Sequence, residues 1–462
     1  MTEFLQTPGQ SEDIRDRAQL RAYFERAGKP RTAWRVGTEH DKLGVDAETG
    51  AAIPYGGPRG IEAVLRALAE RYGWEPKREG DHIIALYGER SSITLEPGGQ
   101  LELSGEQCPT IHCASQELHR HTEEVVSVAN HLGIAFLGLG IHPVSTVDQI
   151  ETVPKQRYGI MAPYMATVGK LGLRMMKETA TVQANFDYAD EADAMAKVRT
   201  SMGLVPIVSA MFANSAVCAG GLNGYMTFRG HIWTDTDGAR SGLLPFVFND
   251  GAGFDEYITW ALNAPMYFVI RNGRYVDLSG TPFRHFVERC RQGFHATMED
   301  WALHLTTLFP EVRLKTYLEI RSADSQPPHL VLSVPALFKG ILYEDDCLGA
   351  AWDLVKRWTW EQRLELYHAA HRHGLEARAG RVALLELARE LASIAAEGLR
   401  RQGAVDVNGH DESIYIEPLR EQLRAGLSSA RYVANNWEST WRRDVKRLIA
   451  FSSYRTTEAP PP

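Results

Sequence analysis

Polar and apolar residues alternate with a period of two along several short segments, as they do in a β-strand that has one buried side. In LEPGGQLELSG (95–105) the leucines occupy one side, and the other side carries Glu96, Gln100 and Glu102. The Pro-Gly-Gly sequence between the two halves predicts a tight turn joining antiparallel strands. This hairpin is therefore expected to pack its leucines on a core and to present carboxylates on the opposite face.

Three other segments show the same alternation, each with polar residues on one side of a predicted strand. They are WRVGTEHDKLGV with Glu39 and Asp41, TATVQANFDY with Gln183, Asn185 and Asp187, and KTYLEIRSAD with Glu319 and Arg321. Strands that alternate in this way favour an antiparallel sheet, because parallel strands are usually apolar on both faces. The sequence thus predicts one sheet face that is rich in oxygen ligands.

Other segments place apolar residues at helical spacing. PRGIEAVLRALAERYG (58–73) has a proline near its start and a glycine at its end, the usual boundary signals of a helix. RVALLELARELASIAAEGLRRQG (381–403) carries an apolar stripe and a C-terminal glycine, and Ala18–Ala27 predicts a short amphipathic helix. Helix dominates beyond about residue 335. The predicted class is α+β, an antiparallel sheet flanked by helices with a helical C-terminal region.

Composition excludes two classes of partner. The formal net charge of −8, from 50 basic and 58 acidic residues, gives no basic footprint for nucleic acid. No apolar run reaches the roughly 20 residues that a membrane span needs. The N-terminus lacks the apolar core of a signal peptide and is too acidic for an organelle transit peptide. These features predict a cytoplasmic protein without nucleic-acid or membrane partners.

Cysteines and histidines give no sign of a metal site. The five cysteines are scattered and odd in number, so reduced thiols are expected. The predicted helix CASQELHRHTEEVVSVANHLG carries His119, His121 and His131. A spacing of two places the first pair on different helix faces, which favours a solvent-exposed surface over a ligand set.

The four polar rows contain a single cation, Arg321, among carboxylates and amides. A sheet face open to water explains any one row, but it does not explain why lysine is avoided in all of them. Crowded carboxylates repel one another and need a compensating charge when partly buried. Mg²⁺ takes carboxylate oxygens and usually shares its shell with phosphates, which suggests a nucleoside triphosphate site. There is no GxxxxGK[ST] motif and no GxGxxG before a helix, so metal ions and arginines would hold the phosphates.

Several long segments of the sequence resemble those of a known enzyme family. The segments that carry the resemblance are GTEHDKLG, LEPGGQLELSG, TATVQANFDY, MFANSAVCAGGLNGYMTFR, HIWTDTDGARSGLLPFVF, APMYFVIRNGRYVD, LTTLFPEVRLKTYLEIRSAD and, more loosely, PALFKGILYED. They are similar to those of the plant-type glutamate–cysteine ligases, a group also found in proteobacteria. The resemblance runs from about residue 30 to 360. It implies an ATP-dependent carboxylate–amine ligase, related in fold to glutamine synthetase, whose curved sheet holds the metals and substrates on its concave face.

The resemblance also implies the reaction. ATP would activate the γ-carboxylate of glutamate as γ-glutamyl phosphate, and the amino group of cysteine would displace phosphate to give γ-glutamylcysteine, the first step of glutathione biosynthesis. A sister γ-glutamyl ligase with another amine acceptor, or one serving another thiol pathway, would share this scaffold. A nucleotide-binding homologue without turnover and a purely structural protein are disfavoured, because neither has a need for crowded carboxylates.

Site roles follow from the resemblance residue by residue. Four carboxylates are implied as metal ligands: Glu39, Glu96, Glu102 and Glu319. Arg321 would stabilise charge near the transferred phosphate, and Gln183 and Asn185 would contact metal or phosphate. Asp41 stands where the family often has a glutamate. Arg240 and Arg229 are the candidates for binding the α-carboxylate of glutamate, with a surface ion pair as the alternative for each. Met175 and Met176 would border the substrate pocket or belong to the core.

The chain departs from the plant pattern at its cysteines. Ala180 stands where plant members have a cysteine, and the cysteine pairs linked to redox control have no clear counterparts, so a redox switch is not expected and a monomer is favoured over a homodimer.

We expect four regions along the chain. They are an N-terminal helical extension (1–30), a catalytic domain (31–360), a helical region packed on it (361–450) and a flexible tail (451–462).

Overall fold

The computed structural model describes residues 12–455. The first part of the predicted N-terminal extension and the last part of the predicted tail therefore lie outside the described residues. The strands of the described part are β1 (Val36–Asp46), β2 (Glu75–Glu79), β3 (His82–Tyr87), β4 (Ser92–Leu95), β5 (Leu101–Ser104), β6 (Ile134–Leu137), β7 (Thr181–Phe186), β8 (Val217–Cys218), β9 (Gly221–Leu222), β10 (Ser241–Gly242), β11 (Phe268–Arg271), β12 (Arg274–Asp277), β13 (Phe309–Pro310), β14 (Val312–Leu314), β15 (Leu318–Asp324), β16 (Arg378–Ala379) and β17 (Val382–Ala383).

The helices of the same part occupy most of the remaining sequence. They are α1 (Arg17–Glu25), α2 (Ile61–Tyr72), α3 (Ile111–Leu132), α4 (Gln156–Val168), α5 (Gly172–Glu178), α6 (Glu191–Met211), α7 (Phe228–Trp233), α8 (Phe254–Asn263), α9 (Phe283–Glu288), α10 (Met298–Thr306), α11 (Ser333–Leu342), α12 (Asp345–Val355), α13 (Trp360–His373), α14 (Leu384–Gln402), α15 (Glu417–Ala425), α16 (Ser429–Trp437) and α17 (Val445–Ser452). None of the helices between residues 12 and 455 combines the length and the apolar composition of a membrane span.

One antiparallel sheet organises the described residues and confirms the predicted α+β class. Eight strands lie in the order β14-β15-β7-β1-β5-β4-β3-β2, and β6 pairs with β1 as a ninth. The long central strand β1 pairs with β5 and β7 through its first half and with β6 through its second half. Helices α6 and α11 pack against β15 and β7, and their buried apolar residues form the main core with the apolar residues of those strands.

The predicted helices form, with small shifts at their ends. Helix α2 begins after Gly60 rather than at the proline and ends at Gly73, whose φ of 78° is left-handed. Helix α14 ends at Gly403 in the same conformation. In α3, His119 is exposed as expected, but His121 is buried beside the back of β1, so the solvent-exposed interpretation is wrong for His121.

The predicted flexible tail starts too early. Helix α17 continues to Ser452, and Ser453 pairs with Leu137 of β6. Tyr454 is buried, with its ring 5.3 Å from Nζ of Lys42. Residues 451–455 are therefore packed, because the aromatic ring of Tyr454 has an apolar surface to bury that the composition of the segment did not reveal.

Candidate active site

Register brings the predicted carboxylates onto one face of the sheet. Asp41 of β1 lies directly opposite Glu102 of β5, and Glu39 lies opposite Gln183 of β7. On the next strand, Glu319 lies opposite Asn185. Residues directly opposite each other point to the same face, with Cβ atoms about 5 Å apart. Polar rows that are far apart in sequence thus converge on one patch.

This patch is buried rather than open to water. The exposed fraction is 3% for Glu39, 5% for Asp41, 1% for Glu102 and 0% for Glu319. Neighbouring polar groups donate hydrogen bonds that orient the first three carboxylates: Asn185 Nδ2 to Glu39 Oε1 at 3.0 Å, Thr181 N to Asp41 Oδ2 at 3.0 Å, and the hydroxyls of Thr94 and Ser104 to the two oxygens of Glu102 at 3.0 and 2.9 Å. A water-facing sheet is excluded as the explanation of these rows.

Glu319 has a different electrostatic environment from the other carboxylates. It forms ion pairs with Arg313 at 2.5 Å, Lys315 at 2.8 Å and Arg321 at 2.6 Å. Although burial alone would raise its pKa, these three cations lower the pKa of Glu319 well below its usual range. By contrast, the pKa values of Glu39 and Asp41 are raised by burial and by the neighbouring carboxylates.

Two cavities follow one another along the strands of this face, and the carboxylate patch lines the smaller one. The larger, of about 650 Å³, is lined by Gly37 and Asn185, each two residues along its strand from the patch. Its wall also contains basic and aromatic side chains, which are Tyr23, Arg26, Lys29, Arg35, Tyr87, Arg90, Lys315 and Tyr317. The smaller cavity, of about 80 Å³, lies against the patch itself.

The smaller cavity gathers most of the residues predicted from sequence. Its lining includes Glu39, Asp41, Glu96, Glu102, Gln183, Arg229, Arg321, Met175 and Met176. Met176 is also part of a buried apolar cluster, so it lines this cavity and belongs to the core at the same time. Gly98 shapes the turn that carries Glu96, because a Cβ there would lie 2.2 Å from the carbonyl oxygen of Lys177.

Arg240 does not line either of these two cavities. It is fully buried, and its guanidinium donates to Asp237 Oδ2 at 2.6 Å and to the carbonyl oxygens of Thr307 and Pro265 at 3.1 and 2.6 Å. It also lies 4.0 Å from the ring centre of Tyr267. These contacts commit the guanidinium to the protein, which argues against the predicted contact of Arg240 with substrate.

Sequence reasoning missed three cations near the patch. Arg313 and Lys315 precede Glu319 with the same period-two spacing, so the alternation rule could have found them. Arg157, in the first turn of α4, lines the smaller cavity beside Tyr158. No spacing in the sequence marks Arg157, because its position depends on how α4 packs across the strands.

A disulfide joins Cys108 to Cys113, so the prediction of reduced thiols is wrong for this pair. The backbone of Cys108 pairs with Val36 just before β1 enters the site, and Cys113 lies in the first turn of α3. The helix start folds the chain back on itself and brings the two sulfurs together. Cys218, Cys290 and Cys347 are free, as predicted.

Comparison with known proteins decides the family. Residues 35–450 match the family model of glutamate-cysteine ligase family 2. The chloroplastic glutamate–cysteine ligase of Brassica juncea is 41% identical over 93% of this chain and 82% of its own length. The chain belongs to the glutamate–cysteine ligase family. The chloroplastic glutamate–cysteine ligase B of Oryza sativa subsp. japonica is 42% identical over 92% of this chain and 85% of its own length.

Family membership confirms the prediction of a ligase that acts at the first step of glutathione synthesis. The crystal structure of a glutamate–cysteine ligase from Francisella tularensis in complex with AMP has the same fold, with a TM-score of 0.54 at 12% identity over 90% of this chain and 88% of that one. The prediction of a cytoplasmic location is contradicted, because the curated relatives from Brassica, tobacco and rice are named as chloroplastic.

Proposed function

We propose that this glutamate–cysteine ligase uses ATP and Mg²⁺, binding ATP in the larger cavity and the amino acids in the smaller one, with phosphoryl transfer over the carboxylate patch. The observation that carries the proposal is that the patch lines the smaller cavity and adjoins the larger one on the same sheet face. A nucleotide in the larger cavity and an acceptor in the smaller one would meet at the patch, where phosphoryl transfer requires the reacting groups to be in line.

The donor set fits Mg²⁺. Carboxylate and amide oxygens are the ligands that this hard cation prefers, and the lining of the smaller cavity contains no cysteine and no histidine. We assign Glu39, Glu96 and Glu102 as its ligands, with Gln183 and Asn185 as weaker contacts. When bound, the cation neutralises charge on the phosphates and on the approaching carboxylate.

Glu319 is assigned an orienting role. It was predicted as a metal ligand, but its ion pairs with Arg313, Lys315 and Arg321 fix three guanidinium and ammonium groups beside the patch. Arg321, which also donates to Gln183, lines the smaller cavity and would stabilise negative charge on the transferred phosphoryl group. We therefore propose that Glu319 orients these cations, since it lines neither cavity and both of its oxygens are paired with them.

Arg157 and Arg229 replace Arg240 as the groups that bind the α-carboxylate of glutamate. Both line the smaller cavity, and a guanidinium offers a fork that matches a carboxylate. Arg229 is held in place by a bond from its Nη2 to the carbonyl oxygen of Arg321 at 2.9 Å and from its backbone N–H to Ser215 Oγ at 3.1 Å.

The reaction then proceeds in two displacements. An oxygen of the γ-carboxylate attacks the γ-phosphorus, and ADP leaves. The amino group of cysteine attacks the resulting acyl phosphate at carbon, loses a proton, and phosphate leaves with that oxygen. Burial of the patch excludes water, which would otherwise hydrolyse the acyl phosphate.

Isotope transfer tests the proposal. Glutamate labelled with ¹⁸O in its γ-carboxylate is incubated with ATP, MgCl₂ and one amine at a time, and phosphate and peptide are analysed by mass spectrometry. One ¹⁸O per phosphate and γ-glutamylcysteine as the dominant product would support it. Unlabelled phosphate would exclude the acyl phosphate, and a preferred amine other than cysteine would favour the sister-ligase alternative.

A further inference from the structure

The N-terminal helix α1 lines the larger cavity although it precedes the segment that matches the family model. That match begins at residue 35, whereas α1 covers Arg17–Glu25. Tyr23 on α1 and Arg26 and Lys29 just after it belong to the cavity wall. A segment that was predicted to be an extension of the catalytic domain thus borders the larger of the two cavities.

Helix α1 is held rigidly enough to form part of a binding site. Leu20 and Phe24 are buried in the main core, with the ring centre of Phe24 5.4 Å from that of Phe254. Tyr188 donates its hydroxyl to the carbonyl oxygen of Phe24 at 2.8 Å. After the helix, Lys29 forms an ion pair with Asp187 at 2.7 Å, at the end of β7. The core and the strand therefore fix the position of the cavity wall.

Two side chains of this segment are suited to a ligand. Tyr23 is half-buried, and burial, with a smaller effect of Tyr317, raises the pKa of its hydroxyl. Arg26 is exposed and forms no ion pair with any residue between 12 and 455. An aromatic ring and an available guanidinium side by side can stack on a purine and contact the polar groups of a nucleotide.

We propose that Tyr23 and Arg26 bind the base and ribose end of the nucleotide, so that α1 is a nucleotide-binding element of this ligase. The inference rests on the proposed function, in which ATP occupies the larger cavity. The triphosphate must reach the carboxylate patch, where Lys315 and Asn185 lie at the inner end of the cavity. The base would then extend along the rest of the cavity wall, which includes Tyr23 and Arg26.

Binding of a non-hydrolysable ATP analogue with MgCl₂, measured by calorimetry on the full-length protein, tests the proposal. Base stacking on an aromatic side chain is worth about 1–3 kcal/mol, so Tyr23→Ala should weaken binding roughly tenfold, while Tyr23→Phe retains it. Arg26→Ala should weaken binding by a similar factor without loss of stability, because the side chain is exposed. Arg15→Ala, an exposed arginine before α1 that does not line the cavity, is the matched control and should bind as the wild type does.

Steady-state kinetics separate this site from the amino-acid site, since the KM for ATP should rise in Arg26→Ala while the KM for glutamate stays constant. Lys315→Ala serves as the reference for the cavity itself. If Lys315→Ala weakens analogue binding but Tyr23→Ala and Arg26→Ala do not, α1 is not a binding element and the proposed function stands. If none of the three variants affects binding, the larger cavity does not hold the nucleotide and both proposals fall.

Discussion

Replacing Arg240 by alanine should destabilise the protein without selectively affecting glutamate binding. The side chain is fully buried, forms an ion pair with Asp237 at 2.6 Å and donates to two backbone carbonyl oxygens. Its removal leaves the carboxylate of Asp237, which is 3% exposed, without this partner in a protein interior. Losing one partner of a buried ion pair costs about 3–5 kcal/mol, a large share of a typical free energy of unfolding.

Equilibrium unfolding in guanidinium chloride measures this cost as a lower transition midpoint at an unchanged slope. In the protein that remains folded, the KM values for glutamate and ATP should change by the same small factor. Arg229→Ala is the contrasting variant, because Arg229 lines the smaller cavity. Loss of a charged hydrogen bond worth about 1.5–3 kcal/mol predicts a KM for glutamate about 10- to 100-fold higher, with the KM for ATP unaffected. An Arg240→Ala enzyme with wild-type stability and a selectively raised KM for glutamate would refute this reasoning.

Three other perturbations test separate parts of the structure. Glu39→Gln should abolish ADP formation while the unfolding midpoint stays the same or rises, because the change removes one of several crowded buried charges; turnover at the wild-type rate would remove Glu39 from the site. Gly98→Ala should lower both the unfolding midpoint and kcat, since its Cβ would collide with the backbone at 2.2 Å, whereas Gly56→Ala, with open space around the added carbon, should do neither. The double substitution Cys108→Ser with Cys113→Ser should lower the free energy of unfolding by about 2 kcal/mol, because the short loop is no longer cross-linked. A reductant should lower the melting temperature of the wild type but not that of this double variant.

The sequence by itself determined which residues face the same way along each strand and helix. Side chains in a strand alternate strictly, so Glu39 and Asp41 had to share a face, as did Glu319 and Arg321, wherever those strands were placed. The local sequence also determined the helix ends at Gly73 and Gly403, because glycine adopts the left-handed conformation without strain. Long blocks of similar residues carried the family resemblance in the same way.

Only the tertiary structure decided what those faces meet. Strand register placed Asp41 opposite Glu102, and the packing of α4 brought Arg157 to a cavity that no local spacing marks. Arg229 and Arg240 are only eleven residues apart in the sequence, yet Arg240 pairs with Asp237 whereas Arg229 lines the smaller cavity. The physical reason is that local rules fix directions within one element, whereas distance between elements, burial and charge pairing arise only when the elements pack together.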